Sequence, residues 1–323
     1  MKTKEQILNL LIENKGSYLS GEKIANLLAV SRAAVWKCIN EIKNDGHNIS
    51  SVSKKGYCYS DCNDFLSAYE IKKSLTQDCC DIAVYKTLKS TNQTAKELAQ
   101  NGAAGNTIIL AEEQTQGKGR LGRSFYSPGG TGIYMSILIR PKLDISKGLL
   151  ITSCAAVAVC KAIENLSDIQ PKIKWVNDIY IENKKLCGIL TESSLDFESG
   201  SLDYVIIGIG INFTTYRFPD ELSDSACAIF ENTPFTFSRN RLISEIINQF
   251  FPIIEAIDDE THISDYKKRS NILGEEIEII SKNETFFAKA VDIDKNGCLM
   301  IENKDQRISK LNTGEISIRK RIK

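Results

Sequence analysis

Three glycines and three cations alternate in Gly117-Lys-Gly-Arg-Leu-Gly-Arg123. A backbone so rich in glycine can close around an anion, and Lys118, Arg120 and Arg123 supply charge suited to phosphate and carboxylate. No Gly-Lys-Ser/Thr follows at Walker spacing, so this is not a P-loop. A second group is Lys174-Trp-Val-Asn-Asp178, followed by Lys185-Leu-Cys-Gly188. A turn at Asn183-Lys184 predicts a hairpin that returns Lys185 to Asn177 and Asp178. A lysine held beside an acid there can bridge carboxylate and phosphate as an acyl phosphate forms. Taken singly, Lys185 reads as a solvated hairpin lysine and Asp178 as a turn residue. The third group, Gly208-Ile-Gly-Ile-Asn212, closes an apolar strand. Phe213 stands where a dinucleotide fingerprint has its third glycine, and no helix follows, which rejects a Rossmann nicotinamide site. Glycines here predict a flat ligand lying against the strand.

These groups need a sheet to hold them. Apolar runs predict strands over 107–111, 133–139, 173–176, 179–182, 186–190 and 204–211. Helices are predicted over 68–75, 94–99, 147–163 and 240–257, with 112–128 as a loop. Strands in series beside a few helices favour a mixed α+β sheet over strict βαβ winding. From about Ile272 the pattern shortens to strands over 276–280, 285–292, 299–303 and 315–319. Turns at Lys282-Asn283, Lys295-Asn296-Gly297 and Asn303-Lys304-Asp305 separate them, which predicts a small SH3-like β-barrel.

The first sixty residues predict three helices and a hairpin. Ile7, Leu8, Leu11 and Ile12 recur at helical spacing. Ser20 caps a helix with Ile24, Leu27 and Leu28 on its apolar face, and Ser31 caps one that turns Val35, Cys38, Ile39 and Ile42 inward. Strands then flank Lys54-Lys55-Gly56, completing a winged helix-turn-helix. The opposite face of the third helix carries Arg32, Ala33, Trp36, Lys37, Asn40 and Lys43, the polar and basic groups a major-groove reader needs. With Ser31 at the helix start and Lys54 and Lys55 on the wing, these are the candidate DNA contacts. Residues 1–63 hold nine Lys and Arg against six Asp and Glu. That small surplus predicts that binding depends on dimerisation or another added contact.

Across 323 residues, 41 Lys and Arg balance 41 Asp and Glu, excluding a uniformly basic nucleic-acid coat. The length predicts two or three domains, divided by the polar hinge 61–64 and the change near Ile272 into 1–63, 64–271 and 272–323. Ten cysteines include no pair at zinc-knuckle spacing, and only His47 and His262 occur. Reduced, mostly buried thiols are therefore expected, with no tightly bound metal and no histidine catalysis. The longest apolar runs, such as Cys154–Cys160, fall short of the ~20 residues of a membrane span, and Met1-Lys-Thr-Lys-Glu-Gln opens no signal-peptide stretch. The expectation is a soluble, cytoplasmic protein.

Lys89-Ser-Thr-Asn-Gln93, the Gly117–Arg123 loop, Lys174–Asp178, Lys185–Gly188, Gly208–Asn212 and Gly314-Glu-Ile-Ser317 occur in this order. Together they resemble the biotin protein ligases. With the winged helix, the resemblance extends over essentially the whole chain to the bifunctional biotin ligases that also repress biotin genes. It implies an α+β multidomain architecture whose mixed-sheet catalytic domain is of the class II aminoacyl-tRNA synthetase and biotin ligase kind. It also implies ATP and Mg²⁺ as a substrate complex, with biotin as the second substrate. Ser90, Thr91, Asn92 and Gln114 match biotin-binding positions, and Lys118, Gly119 and Arg120 match the loop that folds over biotin and the adenylate. Lys185 matches the lysine on the biotin carboxylate and α-phosphate, and Asp178 a group that helps the incoming lysine lose its proton. Lys185, Arg120 and Asp178 are thus the catalytic candidates. Arg120, Arg123, Lys174, Asn177, Gly208, Gly210, Asn212 and Glu315 are the nucleotide candidates. The family has arginine where this chain has Lys118, which keeps the charge but loses the bidentate fork, and commonly proline where it has Val176.

The implied partners are the biotin carboxyl carrier protein, operator DNA of biotin genes and, with biotinyl-AMP bound, a second copy of the chain; no membrane is implied. Two alternatives stand beside this. A lipoate or octanoate ligase shares the catalytic fold, but neither His47 nor His262 is followed by the Asp of its His-Asp signature. A ligand-sensing repressor without ligase turnover is the other, against which stand the retained Lys185, Asp178 and Arg120.

Overall fold

The computed structural model describes residues 3–60, 64–144, 147–195, 201–215, 217–231, 234–280 and 285–312, and the backbone of 317–320. Its contacts divide into two compact units, Met1–Lys73 and Ser74–Lys323.

In the first unit, α1 (Thr3–Glu13), α2 (Gly21–Leu28) and α3 (Arg32–Asn44) precede the hairpin of β1 (Ile49–Val52) and β2 (Gly56–Tyr59), and α4 (Ala68–Lys73) follows. Ser20 and Ser31 accept hydrogen bonds from the Lys23 and Ala34 amides, which fixes where α2 and α3 begin. Ile7, Leu11, Ile24, Val35, Ile39 and Ile42 interlock as the core. Leu27, expected on the apolar face of α2, is 58% exposed; in so short a helix the core covers Ile24 and Ala25 and leaves the Leu27 side open. Gly56, at φ +106°, turns the wing where a Cβ would stand 2.0 Å from the Leu19 carbonyl oxygen.

The second unit is built on a seven-stranded sheet. In chain order come β3 (Asp81–Leu88), α5 (Thr91–Gln100), β4 (Thr107–Gln114), β5 (Gly132–Ile139), α6 (Gly148–Leu166), β6 (Lys172–Lys174), β7 (Asp178–Ile181), β8 (Lys184–Leu195) and β9 (Leu202–Asn212). The short α7 (Asp220–Ser223), α8 (Arg239–Glu255) and α9 (Thr261–Arg269) follow. The sheet order is β3-β4-β5-β9-β8-β7-β6. Only β3 and β4 pair in parallel, joined through α5. Neither β3 nor α9 was expected: β3 is a half-exposed edge strand without an apolar run, and α9 carries four Lys, Arg and Asp among nine residues. α5 sets Ala95 and Ala99 on one sheet face against Ile109, Leu138 and Ile206. β5 is buried at every position because α8 covers its other face. α6 is apolar and long enough to pass for a membrane span, but most of its residues are buried, and it packs on β8, α8 and α9.

The C-terminal strands correct an expectation. β10 (Glu276–Ile280), β11 (Thr285–Ile293), β12 (Leu299–Glu302), β13 (Ile308–Leu311) and β14 (Ser317–Lys320) form an open sheet in the order β13-β12-β11-β10-β14, not an SH3-like barrel. Closure requires the two edge strands to pair; β13 pairs with β12 and β14 with β10, leaving two edges. Short strands and turn residues specify hairpins, whereas closure depends on accumulated tilt that no local signal encodes.

His262, on α9, is 3% exposed, and neither ring nitrogen has a hydrogen-bond partner among the described residues. Burial, reinforced by Lys147, lowers its pKa below the ordinary 6.5. The unfolded chain therefore binds the proton more readily, so this contribution to stability is present above that value and is lost as pH falls through the folded pKa. Urea unfolding from about pH 7 to about pH 5 should show stability declining, with a shallower decline in His262→Leu.

Candidate active site

Lys185 donates from Nζ to Asp178 Oδ1 at 2.7 Å, with both side chains part-exposed. The β7–β8 register sets Asp178 opposite Gly188, and an irregularity after Ile179 brings Lys185 opposite Tyr180. The Lys185 chain then runs over Gly188, whose Cβ would lie 3.2 Å from Nζ. The backbone of Lys185 is gripped from outside the sheet: its amide donates to Ser225 O at 2.8 Å, and the Cys227 amide donates to its carbonyl at 3.0 Å.

Above this pair stands the glycine-rich loop. Its base is closed by the Phe125 amide on Gly117 O and the Gly119 amide on Arg123 O, at 2.9 and 2.7 Å. Gly117 is required, because a Cβ would meet Phe125 O at 2.5 Å. Arg120 reaches inward to Asn177 Oδ1 at 3.1 Å, while Asn177 donates to Ile189 O at 2.7 Å. Burial lowers the Arg120 pKa, opposed by Asp178. Lys174 lies over the Tyr180 ring at 5.6 Å. Lys118 and Arg123 are exposed on the loop.

At the far end, Ser90 caps α5 by position but makes no side-chain cap bond, which leaves its hydroxyl available to the cleft. The Thr91 amide and hydroxyl both donate to Gln114 Oε1, at 2.8 and 3.1 Å. Gln114 donates to Ser127, and Ser127 to Phe125 O, so the α5 N-terminus is tied to the loop base. The space above the two strand glycines is filled by the chain itself. A Cβ on Gly208 would stand 2.2 Å from Asn92 Oδ1, and one on Gly210 would stand 2.6 Å from the Phe125 ring.

One cavity of about 340 Å³ is lined by Ser90, Thr91, Asn92, Gln114, Lys118, Gly119, Arg120, Arg123, Lys174, Asn177, Asp178, Lys185, Gly208 and Gly210. Asn212 is not among its walls; its amide donates to Cys227 O at 3.0 Å. Glu315 lies outside the described residues. Phe125, Tyr180, Leu222 and Ser225 also line the cavity and were not anticipated, since only chain folding brings them there. Among the described residues no three His, Cys, Asp or Glu side chains cluster as metal ligands.

In the first unit, Arg32, Ala33, Trp36 and Lys37 are exposed on α3, Trp36 at 61%, and Asn40 is half-buried. The Ser31 hydroxyl is engaged as the cap. Lys54 and Lys55 are exposed on the wing, with Lys55 over the Tyr18 ring at 5.9 Å.

The contact between Gly210 and Phe125 can be tested directly. Gly210→Ala should cost about 1–3 kcal/mol in urea unfolding through overpacking. Adding Phe125→Ala should make room for the methyl group, so the double variant should lose less than the two single losses combined.

Residues 84–212 match the biotin/lipoate A/B protein ligase family, residues 3–58 an HTH domain, and residues 272–319 the biotin protein ligase C terminal domain. The biotin protein ligase of Aquifex aeolicus, solved in complex with biotin and ATP, superposes with a TM-score of 0.64 at 26% identity, covering 75% of this chain and 99% of its own. The bifunctional ligase/repressor BirA of Escherichia coli (strain K12) is 28% identical over 94% of both chains. That of Bacillus subtilis (strain 168) is 34% identical over 98% of both. Matched from end to end in sequence and in the order of its parts, the chain belongs to the family of bifunctional ligase/repressors.

Proposed function

We propose that this protein is an ATP-dependent biotin ligase that forms biotinyl-5′-AMP, transfers biotin to an acceptor lysine, and represses biotin genes with the adenylate as corepressor. The observation that carries this is that one cavity is lined together by Ser90–Asn92, Gln114, the glycine-rich loop and the Lys185–Asp178 pair. Its polar end at α5 suits the biotin ring system, and its cationic end suits a carboxylate meeting a phosphate.

A carboxylate is a poor acyl donor. ATP, entering with Mg²⁺, converts it to a mixed anhydride with AMP and releases pyrophosphate. Lys185 and Arg120 offset the repulsion as carboxylate and α-phosphate approach. As Lys185 turns to these oxygens it releases Asp178, freeing that carboxylate to take a proton from the acceptor amine. The amine attacks the acyl carbon, an amide forms, and AMP leaves. The loop over the cleft excludes water, which would otherwise hydrolyse the anhydride. Arg123, Lys174 and Asn177 line the same cavity and are assigned to the nucleotide in this reading, with Gly208, Gly210, Asn212 and Glu315 as further nucleotide candidates.

The acceptor is a biotin carrier protein, in this reading the carboxyl carrier of acetyl-CoA carboxylase. The operator contacts fall to α3 and the wing, with Arg32, Lys37, Lys54 and Lys55 as counterion-displacing cations. A biotinyl-AMP-driven homodimer presents two such units to a palindrome. The labour divides among 1–63 for DNA, 64–271 for chemistry and 272–323 as the C-terminal domain, in a protein that works in the cytoplasm.

Pyrophosphate release from ATP and Mg²⁺ should occur with biotin and not with octanoate or lipoate; release with the fatty acids alone would overturn the assignment. Lys185→Ala should cut the adenylation rate by about 10²–10³-fold. Arg120→Gly should leak free adenylate, seen as promiscuous biotinylation of bystander lysines. A band shift with biotin-gene promoter DNA should require biotin and ATP together, and binding indifferent to both would refute the switch.

A further inference from the structure

Asn92 projects from the first turn of α5 into the wall of the cleft, yet its amide is wholly engaged by protein. Nδ2 lies 2.7 Å from Glu192 Oε2 and 3.3 Å from Leu190 O, so both of its hydrogens are committed to β8. Oδ1 faces the hydroxyl of Ser136 on β5 at 2.6 Å, and that hydroxyl also lies 2.8 Å from Thr91 Oγ1. Ser136 is fully buried, and Gly208 is what lets the amide sit so close to β9. A side chain with both N–H groups taken has none to donate to a ligand. Its work is to hold the first turn of α5, where the Ser90 hydroxyl makes no cap bond and the Thr91 side chain, among the described residues, is tethered through Gln114 and Ser136.

We propose that Glu192, an exposed residue outside the cleft, is a positioning residue for the biotin end of the site. Its carboxylate anchors Asn92 and, through Asn92, sets Ser90 and Thr91 for the ligand. The hydrogen bond is charge-assisted and short, which makes it the stronger of the two that Asn92 donates. Once it is lost, the amide keeps only its weaker bond to Leu190 O and the one from Ser136, and the first turn of α5 is held less firmly, while the Lys185–Asp178 pair at the other end keeps its own supports. The effect is therefore confined to one substrate.

This inference rests on the biotin-ligase reading, and the experiment separates the two. Pyrophosphate release is measured over a range of biotin and of ATP for the wild type, Glu192→Ala and Glu192→Gln, with direct biotin binding by calorimetry. Glu192→Ala should raise the KM for biotin roughly tenfold, with the KM for ATP within about twofold and the melting temperature within about 2 °C, since the residue is exposed. Glu192→Gln should recover most of the loss, because its amide oxygen still accepts from Asn92. Unchanged biotin affinity in Glu192→Ala would overturn the positioning role. So would a rise in both KM values with a fall in melting temperature, which would mark a purely structural residue. A wild type that binds no biotin would refute the ligase reading itself.

Discussion

The Lys185 ammonium must stand beside the Asp178 carboxylate and still be available to a ligand, and much of the catalytic unit is arranged around that requirement. The pair is neither sealed in, where desolvation would be severe, nor fully solvated, where it would be worth little. Lys185 is steadied by a short chain segment, Ser225–Cys227, bonded to its backbone. The corner that presents Asp178 is steadied from two further sides. Tyr266 of α9 donates to Val176 O at 2.9 Å, and Trp175 donates to Gly297 O at 2.9 Å. The second bond reaches the turn between β11 and β12, so the C-terminal sheet braces this corner as well as carrying its own core. Val176 is held through its carbonyl by the first of these bonds.

Glycine serves this site by absence of side chain. Gly188 makes room for the Lys185 chain, Gly208 for the Asn92 amide, Gly210 for the Phe125 ring and Gly117 for the return of the loop. All four are close approaches at negative or extended φ, so what they supply is space; φ freedom is used instead at Gly122, in the loop tip. The polar chain from Thr91 through Gln114 and Ser127 to Phe125 O means that displacement of the loop base is felt at α5. Such networks are stiff only when every member is satisfied.

The N-terminal unit achieves its stability by simpler means. Two serine caps, one interlocked core and a tight wing turn build this fold, and α3 carries exposed cations and one exposed indole on its outer side.

Much of this was legible in the residues. Helix starts at Ser20 and Ser31, the strands that carry the site, the Lys185–Asp178 approach and the loop between two apolar strands all follow from local signals: periodicity, capping chemistry and turn residues act within a few positions along the chain. Other features were decided by tertiary structure alone. β3 is a strand because β4 offers it an edge, not because its own residues alternate cleanly. The C-terminal sheet stays open because closure is a property of all its strands together. Leu27 is exposed because its short helix meets neighbours on one side only. The occupants of the spaces above Gly208 and Gly210, and the tie between Asn92 and Glu192 a hundred positions apart, depend on which segments the sheet order brings together. The sequence by itself determined which groups could do the chemistry; their distances, partners and freedom to act were set by long-range packing, which no local window contains.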